Sequence, residues 1–191
     1  MKGPVPRPCP PTTDFPKLEA NSVFQDVYPL LVASEESLQE VAKAVREAAE
    51  VGEGEPGRIG GINSERWKDG ELEIERFRPN IVIKGTGVAF SEEAMRDIII
   101  SPKFVDDSED NSEFTVITLV SKCTRCLLPN VDIKTGIRDA AVPYKVLTKL
   151  HKDIGHTNKP LFGCNGVPSR NGVVRVGDYV SVKAWVGSEK A

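Results

Sequence analysis

The chain is poor in cysteine, in excess charge of either sign and in long apolar runs, and each shortage removes a class of protein. Its four cysteines, Cys9, Cys123, Cys126 and Cys164, are few and unevenly spaced among 191 residues. That pattern excludes a secreted disulfide framework and points to a reducing compartment. Twenty-five basic residues face 28 acidic ones, for a net charge of -3, which argues against a nucleic-acid-binding surface. No apolar run approaches the length that spans a bilayer. The opening MKGPVPRPCPPTTDFP has neither the apolar core of a signal peptide nor the Arg/Ser amphipathic character of a transit peptide. The chain reads as soluble and intracellular, cytoplasmic or mitochondrial, with no visible targeting segment. Internal repeats are also lacking, and the length suits one domain that buries a substantial core without staples.

What is present reads as a β-rich α+β domain with a few short helices. Residues 1–23 form a proline-rich arm, expected to be extended or disordered, with Cys9 incidental in it. The domain runs from 24 to 186, followed by a short tail, 187–191. A buried strand ends near Ala33, and Ser34 caps a helix whose first turn holds Glu35 and Glu36. Leu38, Val41, Ala42, Val45 and Ala49 recur on one helical face, and the helix ends near Val51-Gly52. The glycine-rich stretch 52–70 reads as a flexible insertion anchored by Trp67. Strands are expected at Glu71–Arg76 and Ile81–Ile83. A short helix is expected after Ser91, carrying Met95, Ile98 and Ile99.

The acidic stretch Asp106–Glu113 reads as a solvated loop. Phe114–Val120 is a central strand, Asp132–Gly136 a turn, and Pro143 opens a third helix that buries Val146, Leu147 and Leu150. Further strands are expected at Val173–Val176 and Tyr179–Val182. Strands and helices do not alternate regularly, which disfavours a doubly wound parallel sheet and fits a barrel-like α+β arrangement.

Chemistry concentrates in Lys122-Cys123-Thr124-Arg125-Cys126. A neighbouring cation favours a thiolate, and only the thiolate ligates metal or attacks. On its own the Cys-x-x-Cys pair fits half a zinc site, a redox pair or two buried cysteines. A structural zinc site would need Cys123, Cys126, Cys164 and a histidine. His151 and His156 lie on or after a polar helix end and are expected to be exposed and inert.

Five motifs in order carry a resemblance. They are Phe77-Arg78-Pro79-Asn80-Ile81-Val82, Cys123-Thr124-Arg125-Cys126, Val131-Asp132 with Thr135-Gly136, Pro160-Leu161-Phe162-Gly163, and Val176-Gly177-Asp178. Together they resemble the MOSC domain, the C-terminal domain of molybdenum-cofactor sulfurases, and within it the mitochondrial amidoxime-reducing component branch, in a fungal-like form.

The resemblance implies a MOSC-type barrel-like fold and a molybdenum cofactor, a metal held by a pterin dithiolene. It makes Cys126 the protein ligand to the metal and the catalytic residue, a soft thiolate for a soft metal. Arg78 and Asn80 approach the pterin and its phosphate, Thr124 and Arg125 line the cofactor, and Ser34 lies near it. Phe162 and Gly163 shape the pocket floor. Reduction of N-hydroxylated substrates, with a cytochrome b5 type donor and its reductase as partners, follows from the same branch. Pyridoxal phosphate binding is implied at family level only. The alternative is a non-catalytic or partner-dependent cofactor or sulfur-carrier module.

The residues themselves leave simpler roles open: Cys123 as an ordinary buried thiol, Arg78 paired with Glu75, Asn80 as a cap, Asp132 as a turn residue. Three departures stand against the family pattern. An N-terminal β-barrel domain is expected before the match, and here about 23 residues precede it. Cys164-Asn165-Gly166 replaces Gln-Tyr-Phe, which would place a further thiol near the pocket. Pro129-Asn130 replaces a pair of threonines.

Overall fold

A computed structural model describes residues 4–24, 27–104, 114–155 and 157–187. All of the acidic stretch 106–113, His156 and most of the tail 187–191 lie outside the described residues. The strands are β1 (Arg7–Pro8), β2 (Asn21–Ser22), β3 (Leu30–Ser34), β4 (Ile81–Ile83), β5 (Met95–Ser101), β6 (Thr115–Thr124), β7 (Leu161–Pro168) and β8 (Tyr179–Trp185). The α-helices are α1 (Glu35–Glu50), α2 (Ser64–Lys68) and α3 (Tyr144–Asp153). Six strands form one mixed sheet in the order β4-β3-β7-β6-β5-β8, and β1 and β2 form a separate ribbon. This is the α+β, strand-rich class that the chain's pattern predicts.

The chain divides into two compact units. The first comprises Met1–Val32, Ser91–Lys122 and Cys164–Ala191. In it β5 pairs antiparallel with β6 and with β8, and Leu30–Val32 pairs with Cys164–Gly166. The described part of the 1–23 arm, expected to be extended or disordered, contains the β1–β2 ribbon and buries Cys9 against Tyr28 and Val120. Cys9 is therefore a packing residue, and burial pushes its thiol pKa up. The helix expected after Ser91 stops at Ala94 as a 3-10 turn, and Met95–Ser101 is strand instead. Three consecutive isoleucines, Ile98–Ile100, suit a pleated surface better than a helix. No strand forms at Val173–Val176. Val176 is fully exposed, and Asp178 accepts from the Arg175 N–H to make a turn.

The second unit comprises Ala33–Phe90 and Cys123–Gly163. Its core gathers Val41, Val45, Ala48 and Ala49 of α1 with Val146 and Leu147 of α3, around Trp67, Phe77 and Phe162. Ser34 caps α1 as its position predicts: its Oγ accepts from Ser37 N at 3.1 Å. The insertion 52–70 is packed rather than flexible. Ile59, Ile62 and Trp67 are buried, α2 starts on an Asn63 cap, and Arg58 donates to the carbonyls of Val51 and Ile62 and to Ser64 Oγ. The strand expected at Glu71–Arg76 is a 3-10 turn over Ile74–Phe77. His151, expected to be exposed, is fully buried, with Nδ1 3.0 Å from Leu147 O and its ring edge-on to Phe90.

Removing the Ser34 cap gives a first expected result. Ser34→Ala leaves an α1 donor without its acceptor, a loss of about 1 kcal/mol. A melting midpoint about 2–4 °C lower checks it. An unchanged midpoint would show that the cap contributes nothing net.

Candidate functional site

The second unit brings three of the motif segments together. Cys123 and Thr124 end β6, and Arg125 N–H extends the pairing by donating to Pro160 O at 2.8 Å. The half-buried Arg125 side chain then reaches across. Its Nη2 donates to Phe77 O at 2.7 Å, and its Nη1 to Cys123 Sγ at 3.1 Å. Phe77 stacks on Phe162, ring centroids 3.9 Å apart. The Phe77-Arg78, Cys123–Cys126 and Pro160–Gly163 segments are thus tied by one guanidinium and one ring stack. The cation between the cysteines was expected to act on Cys126, but its hydrogen bond goes to Cys123, which is half-buried.

Cys126 is exposed, and its Sγ accepts from Leu128 N at 3.4 Å. Arg78 is exposed and sits in the left-handed region (φ 56°, ψ 43°), where it closes the Ile74–Phe77 turn with its N–H on Glu75 O at 3.0 Å. A non-glycine residue in that region carries strain of order 1 kcal/mol and commonly marks a functional position. Its guanidinium has no hydrogen-bond or ion-pair partner among the described residues, so the pairing with Glu75 considered from the sequence does not form. Thr124 and Asn80 are also exposed. Ser34 is fully buried, and its hydroxyl is engaged with Ser37 Oγ at 2.7 Å as well as in the cap. Ser37 Oγ in turn accepts from Phe90 N at 2.7 Å, which fixes the end of the loop that follows β4. Cys164 does not add an open thiol. It is buried in the first unit, where its Sγ donates to Glu92 O at 3.4 Å.

Behind the cysteine segment lies a charged network that motif spacing did not reveal. Asp132 Oδ2 accepts from Arg66 Nη2 at 2.7 Å and Arg76 Nη2 at 2.8 Å. Asp132 Oδ1 accepts from the N–H groups of Lys134 (3.0 Å) and Thr135 (2.9 Å) and from Thr135 Oγ1. Arg76 Nε donates to Glu73 Oε2 at 2.8 Å. Asp139 accepts from Trp67 Nε1 and from the N–H groups of Ala141 and Val142, each at 2.8 Å. Asn130 bridges Asp139 O to Tyr144 N. Asp132 is a turn residue, as its sequence context suggests, and also the hub of this network.

The Thr135 N–H, with the Thr135 hydroxyl, Lys134 N–H and Arg76 charge behind it, holds the Asp132 carboxyl well below the usual carboxylate range. A carboxylate with a depressed folded pKa contributes stability that is complete above its unfolded value, near pH 4. That contribution is lost as pH falls below it. The melting difference between wild type and Asp132→Asn is therefore expected to be widest above pH 5 and to shrink toward pH 3. A difference that stays constant across that range would contradict it.

The donor set fits a soft-metal anionic cofactor. The open Cys126 thiol accepts an N–H at its sulfur, the exposed Arg78 guanidinium has no partner among the described residues, and the buried Arg125 Nε has none there either. No group of three His, Cys, Asp or Glu able to hold a metal by themselves occurs among the described residues. The zinc alternative therefore has no ligand set there.

The ordered motifs and this arrangement define the class: the chain belongs to the MOSC domain family, whose model matches residues 20–181. The family is one of molybdenum-cofactor-associated domains. The chain is similar to the mouse (Mus musculus) protein "Mitochondrial amidoxime-reducing component 1", 30% identical over 162 residues, 82% of this chain and 37% of that protein. It is also similar to the bovine (Bos taurus) "Mitochondrial amidoxime reducing component 2", 28% identical over 174 residues, 87% of this chain and 41% of that protein. The rat (Rattus norvegicus) component 2 is 33% identical over 116 residues, 58% of this chain and 30% of that protein. The chain thus spans about two fifths of the length of the first two relatives. No helix among the described residues is long and apolar enough to cross a membrane.

Proposed function

We propose that this chain is the molybdenum-cofactor-binding part of an oxidoreductase that reduces N-hydroxylated substrates. The observation that carries the reading is the joining of the Phe77-Arg78, Cys123–Cys126 and Pro160–Gly163 segments beside an open Cys126 thiol. Cys126 supplies the protein's thiolate ligand. Arg78 offers a planar, unpaired guanidinium for phosphate, with Asn80 and Thr124 exposed around the same segments. Arg125 is chiefly a positioning residue, because its Nη2 and Nη1 are engaged by Phe77 O and Cys123 Sγ. Ser34 acts through the cap and the Ser37–Phe90 bond that hold the neighbouring loop. None of this set is a lysine, so it suits a metal dithiolene with a phosphate tail better than pyridoxal phosphate, whose aldehyde calls for an amine.

When bound, the cofactor supplies a centre that accepts oxygen from the substrate. The overall change takes an N–OH group, two electrons and two protons to N–H and water. The electrons come from a donor protein, a cytochrome b5 with its reductase in this reading. A mitochondrial or cytoplasmic address belongs to the same reading, and the names of the similar proteins support the mitochondrial one.

The test is the molybdenum and pterin content of the purified chain from a host that makes molybdenum cofactor, followed by amidoxime reduction with a chemical reductant. About one molybdenum per chain with turnover supports the proposal. Neither metal nor pterin would sink it for the chain alone and leave the non-catalytic or partner-dependent cofactor or sulfur-carrier module.

A further inference from the structure

Directly after Cys126 the chain exposes four large aliphatic side chains within one short segment, and the site does not use them. Leu127, Leu128, Ile133 and Ile137 are between 42% and 63% exposed. Large aliphatic side chains exposed together on one folded-back segment mark interaction surfaces more often than isolated ones do. They sit on a firmly fixed frame. Asn130 N–H and Val131 N–H return to Leu127 O and Leu128 O in one tight turn. Val131 then bridges to Arg138, Asp132 N–H donates to Ile137 O at 2.9 Å, and the Asp132 carboxylate ties down the tip. The surface needs little ordering on binding, which lowers the cost of association.

The well-exposed charges around it are basic. Lys134 is 75% exposed, with its Nζ 3.3 Å from Glu73 Oε1. Arg138 is exposed, with no side-chain partner among the described residues. The acids of the segment are withdrawn: Asp139 is buried, Asp132 is bound by Arg66 and Arg76, and Glu73 is bound by Arg76 as well as Lys134. A basic spot therefore stands on a chain of net charge -3.

We propose that the 127–138 segment is the docking surface for a protein electron carrier whose redox centre is edged by carboxylates. The inference rests on the reductase reading, since such an enzyme must receive electrons close to Cys126. Leu128 touches that thiol through its N–H. A small apolar centre flanked by cations suits a brief, electrostatically steered encounter. An anionic membrane is the competing occupant. The patch lacks the tryptophan and tyrosine that sit at bilayer interfaces.

The test uses the full chain, with Lys134→Glu/Arg138→Glu and Ile133→Ser/Ile137→Ser variants, against the soluble haem domain of a cytochrome b5. The wild type is expected to bind it, with affinity falling steeply as salt rises. Each double variant is expected to weaken binding about tenfold or more. Molybdenum content and reduction by dithionite should stay as in the wild type, and the melting midpoint should fall only by the small amount an exposed ion pair such as Lys134–Glu73 contributes. Variants that bind as well as wild type, wild-type binding indifferent to salt, or no binding at low salt would each overturn the proposal. So would variants that lose affinity for phosphatidylserine vesicles while keeping it for the haem domain. A molybdenum-free chain that still docks through this segment sinks the reductase reading alone, and a loaded chain indifferent to both variants sinks the docking surface alone.

Discussion

Cys126→Ser is expected to strip the chain of molybdenum. The thiol is exposed and its one hydrogen bond among the described residues is from Leu128 N–H, so the substitution takes little from the fold and the melting midpoint should hold. What it removes is the soft donor. A serine oxygen at the same place is hard and remains protonated at neutral pH, and a soft metal loses its preferred ligand. Loss of a partner behind a ligand already lowers metal affinity about 10–100-fold, so loss of the ligand itself should exceed about 100-fold.

The contrast with Cys123 sharpens the test. Cys123 Sγ accepts from Arg125 Nη1, and the same guanidinium holds Phe77 O. Cys123→Ser keeps an acceptor and should keep the metal. Cys123→Ala frees that arm of Arg125 and should lower metal retention about tenfold. Metal and pterin measured by mass spectrometry and pterin fluorescence check all three variants without an activity assay. Equal loss from Cys123→Ser and Cys126→Ser would show that the two thiols act as a pair. No loss from Cys126→Ser would remove it as the ligand.

The order of those effects was only partly legible in the sequence. Elements with a local cause were readable. Ser34 ahead of an apolar stripe defines α1, the β-branched run after Phe114 defines β6, and Pro143 ahead of Val146 and Leu147 defines α3. Where local chemistry was ambiguous, tertiary packing decided. Stretch 52–70 looks like a loop by composition, but Ile59, Ile62 and Trp67 are apolar residues placed among its glycines, and all three are buried. At Ser91 the expected cap does not form: its hydroxyl has no partner among the described residues, a single 3-10 turn follows, and the isoleucines belong to a strand that pairs on both sides.

For the site, residues adjacent in a motif could be found and their partners could not. Arg125 reaches a carbonyl 48 residues away, and Arg76 a carboxylate 56 residues away. No spacing rule carries a contact over that distance. The signal that was available is weaker: Arg76 stands between Ile74 and Phe77, and a charge enclosed by apolar neighbours needs a partner if it is buried.

Arg76→Met is the substitution for which the largest loss of stability is expected. The Arg76 side chain is 1% exposed. It donates to Glu73 and Asp132, and its guanidinium lies 5.7 Å from the Trp67 ring centre. Its Nη1 is buried without a partner among the described residues, so the residue carries a desolvation cost that the two carboxylates must offset. Methionine fills much of the same volume but leaves Glu73 with Lys134 alone and Asp132 with the more exposed Arg66. Removing one partner of a buried ion pair costs about 3–5 kcal/mol, because the other charge stays behind. For a chain of this size that is a fall in melting midpoint on the order of 10 °C.

Arg76→Lys separates charge from geometry. It keeps the cation but cannot place Nε on one carboxylate and Nη2 on another, so an intermediate fall is expected. The effect should reach the metal as well, since Asp132 anchors the turn that follows Cys126, and molybdenum retention should drop in Arg76→Met even below its melting range. A midpoint within a degree of wild type in Arg76→Met would mean that attraction and desolvation cancel at this pair. The Cys126–Asp132 segment would then be held by the Asp132 turn and the Trp67–Asp139 bond instead.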